Sequence, residues 1–155
     1  GHSITIHDFV PAEQIDPIYF ERTYYLGPEE GAGEAIYALA RQRVANGQYE
    51  AAFRQFCLLT TFLPTHTKYL NGLALTHRLL GRFEEAMDIY HFALQLDGND
   101  PRHALNVAEC LMLMQRPEDA LSALEVVIRF CEGRDTAPGV LARAKALAEL
   151  LSSKK

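Results

Sequence analysis

The chain has 155 residues, 48% of them apolar and 23% charged, the composition of one globular domain with a sizeable core and little room for a second. No apolar run reaches the roughly 18 residues that cross a bilayer, which excludes a membrane-spanning helix as a reading of the sequence. The net charge of −5 resides in residues 1–33, where Asp8, Glu13, Asp16, Glu21, Glu29 and Glu30 face the single base Arg22, so nucleic acid repels this segment.

Gly1-His2-Ser3 reads as a remnant of tag cleavage and is set aside. No signal-peptide pattern follows it, and a cytoplasmic setting is expected. Ile4–Gly33 is rich in β-forming residues, is broken by Pro11, Pro17 and Pro28, and has no helical period. From there on, helices are predicted near 34–46, 50–62, 68–80, 84–96, 102–114 and 118–131. Gly47 and Gly81 supply the positive φ that ends the first and third of these. Gln115 stands at the equivalent place after the fifth, and Pro117 suits the first turn of the helix that follows. Asp100-Pro101 is an N-cap followed by a first-turn proline. A seventh helix near 138–152 begins after Thr136 and Pro138, and its amphipathic "VLARAKALAELL" is suited to closing the array.

Shifted by 34 residues, the chain matches itself. Leu39, Leu73 and Val107 coincide, as do Ala40, Ala74 and Ala108; Ala52, Ala86 and Ala120; and Phe56, Tyr90 and Leu124. Gly47-Gln48-Tyr49 becomes Gly81-Arg82-Phe83 and then Gln115-Arg116-Pro117. That period is the one of the tetratricopeptide repeat, a helix–turn–helix unit. The alanines let two antiparallel helices approach closely, and the large apolar residues fill the space between stacked units. The expected fold is therefore all-α: a solenoid of three helix pairs (about 33–66, 67–100 and 101–134) with a C-terminal capping helix, preceded by a non-repeat N-terminal segment over 1–33.

In such a solenoid the first helix of each pair lines the concave side. The groove residues are then Tyr37, Arg41 and Val44; Asn71, Leu75 and Arg78; Leu105, Glu109 and Met112, with Glu34, Lys68 and Arg102 beside them. Apolar side chains alternating with fixed donors suit an extended peptide, whose side chains seek pockets while its amides seek partners. Alternatively, some of these residues pack against the chain's own ends. No catalytic constellation is found, and no cofactor is called for. His2, His7, His66, His77, His91 and His103 never fall at metal-ligand spacing on one helix face. Cys57, Cys110 and Cys131 are odd in number and widely spaced, fitting buried small hydrophobes rather than disulfides or a zinc site.

Residues Ile36–Phe130 resemble the class II type III secretion chaperones, which hold hydrophobic translocator proteins in Gram-negative bacteria. The likeness is carried by "IYALARQRVANGQYEAAFRQF", by "YLNGLALTHRLLGRFEEAMDIYHFAL" and above all by "DPRHALNVAECLMLM", with Pro101-Arg102 ahead of Ala108-Glu109-Cys110-Leu111. The resemblance implies a non-enzymatic chaperone whose groove, lined by Tyr37, Arg41, Asn71, Leu75, Leu105 and Glu109, clamps a short extended translocator segment. A homodimer is a further possibility, because the family opens with a helix that also serves dimerisation. No helical period marks such a helix in the first 33 residues here. The chain's "DFVPAEQIDPIYFERTYYLGP" instead resembles the bacterial Ku proteins, with Asp16-Pro17, Tyr19-Phe20 and Tyr24-Tyr25-Leu26. The two likenesses meet at Tyr37-Ala38-Leu39-Ala40-Arg41, and a composite chain, engineered or recombined, is expected. An acidic segment of about 30 residues supplies neither a DNA-encircling ring nor a positive field, so end binding is not carried over. The competing readings are a general peptide-binding adaptor and a chimera displaying a Ku-derived segment.

Overall fold

The computed structural model describes residues 30–134 and 137–153, and these are helical, with no strand among them. Seven helices follow in chain order: α1 (Glu30–Ala45), α2 (Tyr49–Phe62), α3 (Thr67–Leu79), α4 (Phe83–Leu96), α5 (Pro101–Leu113), α6 (Pro117–Cys131) and α7 (Pro138–Ser153). The reading of 1–29 as a non-helical segment lies outside the described residues. The helix bounds agree with the repeat to within a residue or so, except that α1 begins at Glu30 rather than near 34. Just inside α1, the Glu34 carboxylate accepts from Lys68 Nζ at 2.7 Å and from the Tyr69 hydroxyl at 2.9 Å. Gly33 leaves room for the Tyr69 hydroxyl, which would sit 3.0 Å from a Cβ there.

The chain forms two compact units, divided between Leu80 and Gly81. In the first, α1 and α2 are antiparallel neighbours joined by a three-residue turn. Gly47 takes φ 75°, and the turn closes through Gly47 N–H donating to Val44 O and Gln48 N–H to Arg43 O. Ala40 and Ala52 are fully buried, which is what lets the two backbones come close. α3 then packs on α2, and here a glycine decides the distance. The Phe56 ring lies against the backbone of α3 at Gly72, with Tyr37 meeting it edge-on at 6.0 Å between centroids.

The second unit contains α4 to α7, with α5 packed on α4, α6 on α5 and α7 on α6. Asp100 caps α5, accepting from Arg102 N–H at 3.0 Å, and Pro101 fills the first turn as expected. Between α5 and α6, Gln115 takes φ 62° and the turn repeats the glycine pattern: Gln115 N–H donates to Met112 O and Arg116 N–H to Leu111 O. The bonding of the turn overrides the steric cost of a side chain in the left-handed region. The core of the unit joins Leu105, Ala108, Leu124, Val127, Cys131, Val140 and Ala144. Cys57, Cys110 and Cys131 are all buried free thiols, as their spacing suggested.

Candidate functional site

Spacing of four and three residues puts Tyr37, Arg41 and Val44 on one face of α1, and Asn71, Leu75 and Arg78 on one face of α3. In the first unit these residues stay at or near the surface: Arg41 and Leu75 are exposed, and the other four are half-buried. Tyr37 is the most constrained of them. Its ring packs on Tyr69 at 5.5 Å, Lys68 Nζ lies 4.5 Å from its centroid and the Arg41 guanidinium lies 5.8 Å away. The His66 ring stacks on the far aromatic, Tyr69, at 3.8 Å. The result is an aromatic platform edged by two cations and backed by Phe56, able to take an apolar side chain on the ring and an acceptor beside it.

The second unit treats its three candidates differently. Leu105 is buried in the core, Glu109 is buried and bonded to Arg143 of α7, and Met112 is half-buried. α7 therefore covers much of the α5 face, which the repeat pattern alone had left open. What remains is an open cleft of about 800 Å³, lined by Pro101, Leu105 and Val140 with Arg102, Arg143, Asp97 and Asp100 among its polar residues. Arg143 was not among the residues read from the sequence. The signal for it was one further shift of 34, which carries Glu109 onto Arg143.

Asp97, Asp100 and His103 bring ligand-type atoms within 4.8 Å of one another, a grouping missed by searching helix faces because it straddles a loop and a helix start. The buried His103 Nε2 lies 3.8 Å from Asp100 and 3.9 Å from Asp97. Arg102 already engages both Asp100 oxygens through Nε and Nη2, so a cation there would have to displace a guanidinium. The same bonds hold the Asp100 carboxyl below its ordinary 3.8, and hydrogen bonds from Lys68 and Tyr69 hold Glu34 below its ordinary 4.5. A depressed carboxyl contributes stability that is present above its unfolded-state value and is lost as the pH falls through the folded one. The melting temperature is therefore expected to fall below about pH 4.5, and Arg102→Ala should shrink the part of that fall due to Asp100. Arg102 is largely exposed, so solvent screening keeps the effect small. Melting curves across pH check both statements. His77, by contrast, packs edge-on against Phe53 at 5.0 Å, a structural role.

Residues 1–49 match the Ku70/Ku80 beta-barrel domain, and residues 78–130 match the tetratricopeptide repeat. The non-homologous end joining protein Ku of Koribacter versatilis is 51% identical over 47 residues, 30% of this chain but only 16% of that protein. The chaperone protein SicA of Salmonella dublin is 30% identical over 120 residues, covering 76% of this chain and 67% of that one. Among solved structures, PcrH in complex with the chaperone binding region of PopB is 26% identical, with a TM-score of 0.71, covering 78% of this chain and 98% of that chain. The Yersinia enterocolitica type III secretion chaperone SycD, solved with a peptide of the translocator YopD, shares the fold at a TM-score of 0.69 and 23% identity, covering 78% and 92%. No helix among the described residues is long and apolar enough to cross a membrane.

Proposed function

We propose that this chain, which belongs to the family of type III secretion translocator chaperones, holds a short extended segment of a hydrophobic translocator protein. The observation that carries this reading is the 30% identity to SicA over two thirds of that protein. The PcrH structures with the chaperone binding regions of PopD and PopB support it, being complexes of relatives with segments of this kind. The work is binding without bond making: the translocator is kept from aggregating, in the bacterial cytoplasm, until it is exported.

In the first unit, Tyr37 is the proposed anchor. A rigid ring already packed on Tyr69 and Phe56 loses little freedom when a ligand side chain lands on it. Leu75 and Val44 supply apolar contact, while Arg41, Asn71 and Arg78 take backbone carbonyls of the segment. In the second unit, Met112 and the edge of Leu105 are the proposed apolar contacts, and Glu109 acts by orienting Arg143. The residues matching Ku span about a sixth of that relative, and no part of its activity is proposed for this chain.

Isothermal titration with peptides from candidate translocators tests the proposal. Tyr37→Ala is expected to weaken binding about tenfold or more, in line with roughly 1.4 kcal/mol or above for an aromatic hot spot. Circular dichroism should show the helices retained. If no translocator peptide binds the intact protein, and co-expression leaves every translocator insoluble, the assignment fails.

A further inference from the structure

The loop over residues 97–100 joins α4 to α5, and donors of two chemical kinds meet there. Asp97 is the C-cap of α4, Asp100 is the N-cap of α5, and His103 lies in the first turn of α5. Their ligand-type atoms fall within 4.8 Å of one another. The His103 side chain is only 1% exposed, so a buried imidazole rather than a surface one faces the two acids. Its Nε2 stands 3.8 Å from Asp100 Oδ2 and 3.9 Å from Asp97 Oδ2, too far for a hydrogen bond to either. Two metal–ligand bonds of about 2.0–2.2 Å, meeting at an open angle, span that gap. The Asp97 carboxylate accepts no hydrogen bond among the described residues. It is 46% exposed and borders the cleft beside Pro101 and Val140, which leaves a way in for an ion and its waters.

We propose that Asp97, Asp100 and His103 form a binding site for a divalent transition-metal cation of the zinc kind, completed by water, that pins the end of α4 to the start of α5. One imidazole nitrogen with two carboxylate oxygens suits zinc better than calcium or magnesium, which take oxygen ligands. The negative end of α4 favours a cation at Asp97 and offsets the positive end of α5. The obstacle is Arg102, whose guanidinium engages both Asp100 oxygens. Its side chain is 72% exposed, so water takes over the donors it gives up and the pair is cheap to break. Arg102 is thus a competitor built into the site, and the affinity for a cation depends on it.

The test is calorimetric titration of the full chain with zinc chloride near neutral pH, beside thermal melts with and without the metal. The expected result is a site that Asp97→Asn weakens about tenfold or more, since even an outer-shell partner of a metal is worth that much. Arg102→Ala should tighten the same site about threefold or more, because the competing guanidinium is gone. Zinc should raise the melting temperature of the parent and not that of Asp97→Asn. His91→Gln, at an exposed histidine of α4, should leave the affinity as it was, and calcium chloride should bind about tenfold more weakly or worse. Because His103→Gln changes a buried side chain and could unfold the protein, the two loop-side variants decide the matter. The proposal is overturned if zinc does not bind, or if Asp97→Asn leaves its affinity intact, which would mean an adventitious ion only. It is equally overturned if Arg102→Ala binds no more tightly than the parent, or if calcium binds as well as zinc.

Discussion

Gly72→Ala is expected to destabilise the protein by about 2–3 kcal/mol, the upper part of the range for overpacking a filled core. At an unconstrained helical site the same change would stabilise by about 1 kcal/mol through helix propensity. The sign reverses because a Cβ at position 72 would lie 2.3 Å from Phe56 Cε1 and 2.7 Å from both Cδ1 and Cζ. Those atoms belong to a buried ring wedged between α2 and α3 and held edge-on by Tyr37, so they have nowhere to retreat. The check is the urea midpoint of the single variant, of Phe56→Leu, and of the two combined. If the clash is the cause, the combined loss is smaller than the sum of the separate losses, a coupling that residues in contact show. A Gly72→Ala protein that melts like the parent would show that α3 does not approach Phe56 this closely.

Leu124→Ala is expected to cost about 3 kcal/mol, within the range for leucine truncation in a core that cannot collapse. Leu124 is 0% exposed and belongs to the cluster that joins α5, α6 and α7 through Leu105, Val127 and Val140. Two residues along the same helix, Val126 is 53% exposed, and Val126→Ala should change stability by no more than about 0.5 kcal/mol. Denaturant midpoints for the pair separate burial from helix propensity, since both changes place alanine in α6. Equal losses at the two positions would contradict the packing described.

Much of the fold was legible because its unit is short and repeated. Helix ends at Gly47, Gly81 and Asp100-Pro101 follow from backbone sterics and capping, which act within a few residues. Gln115 was legible only by alignment with the glycines, because nothing local to a glutamine announces a φ of 62°. The platform around Tyr37 was partly legible: the helix face could be read, but the pinning of Glu34 by Lys68 and Tyr69 joins residues 34 and 35 positions apart, and the stacking of His66 on Tyr69 depends on ring orientations at the start of α3. Leu105 and Glu109 fall on an open face within three repeats and are covered only when the 34-residue shift continues once more, onto α7, where Glu109 meets Arg143. The Asp97, Asp100 and His103 grouping escaped because it depends on the direction of a loop leaving α4.

The amino-acid sequence by itself determined the 34-residue period, the helix pairs, the alanines at the crossings and the kinship with translocator chaperones. These rest on local geometry, since a helix of 3.6 residues per turn converts spacing into faces wherever it forms. Only the tertiary structure decided which of several equivalent residues is covered. Leu39 is exposed and Leu73 and Val107 are not, although the pattern around them is the same. Burial belongs to the pair of surfaces that meet, and the second surface lies elsewhere in the chain.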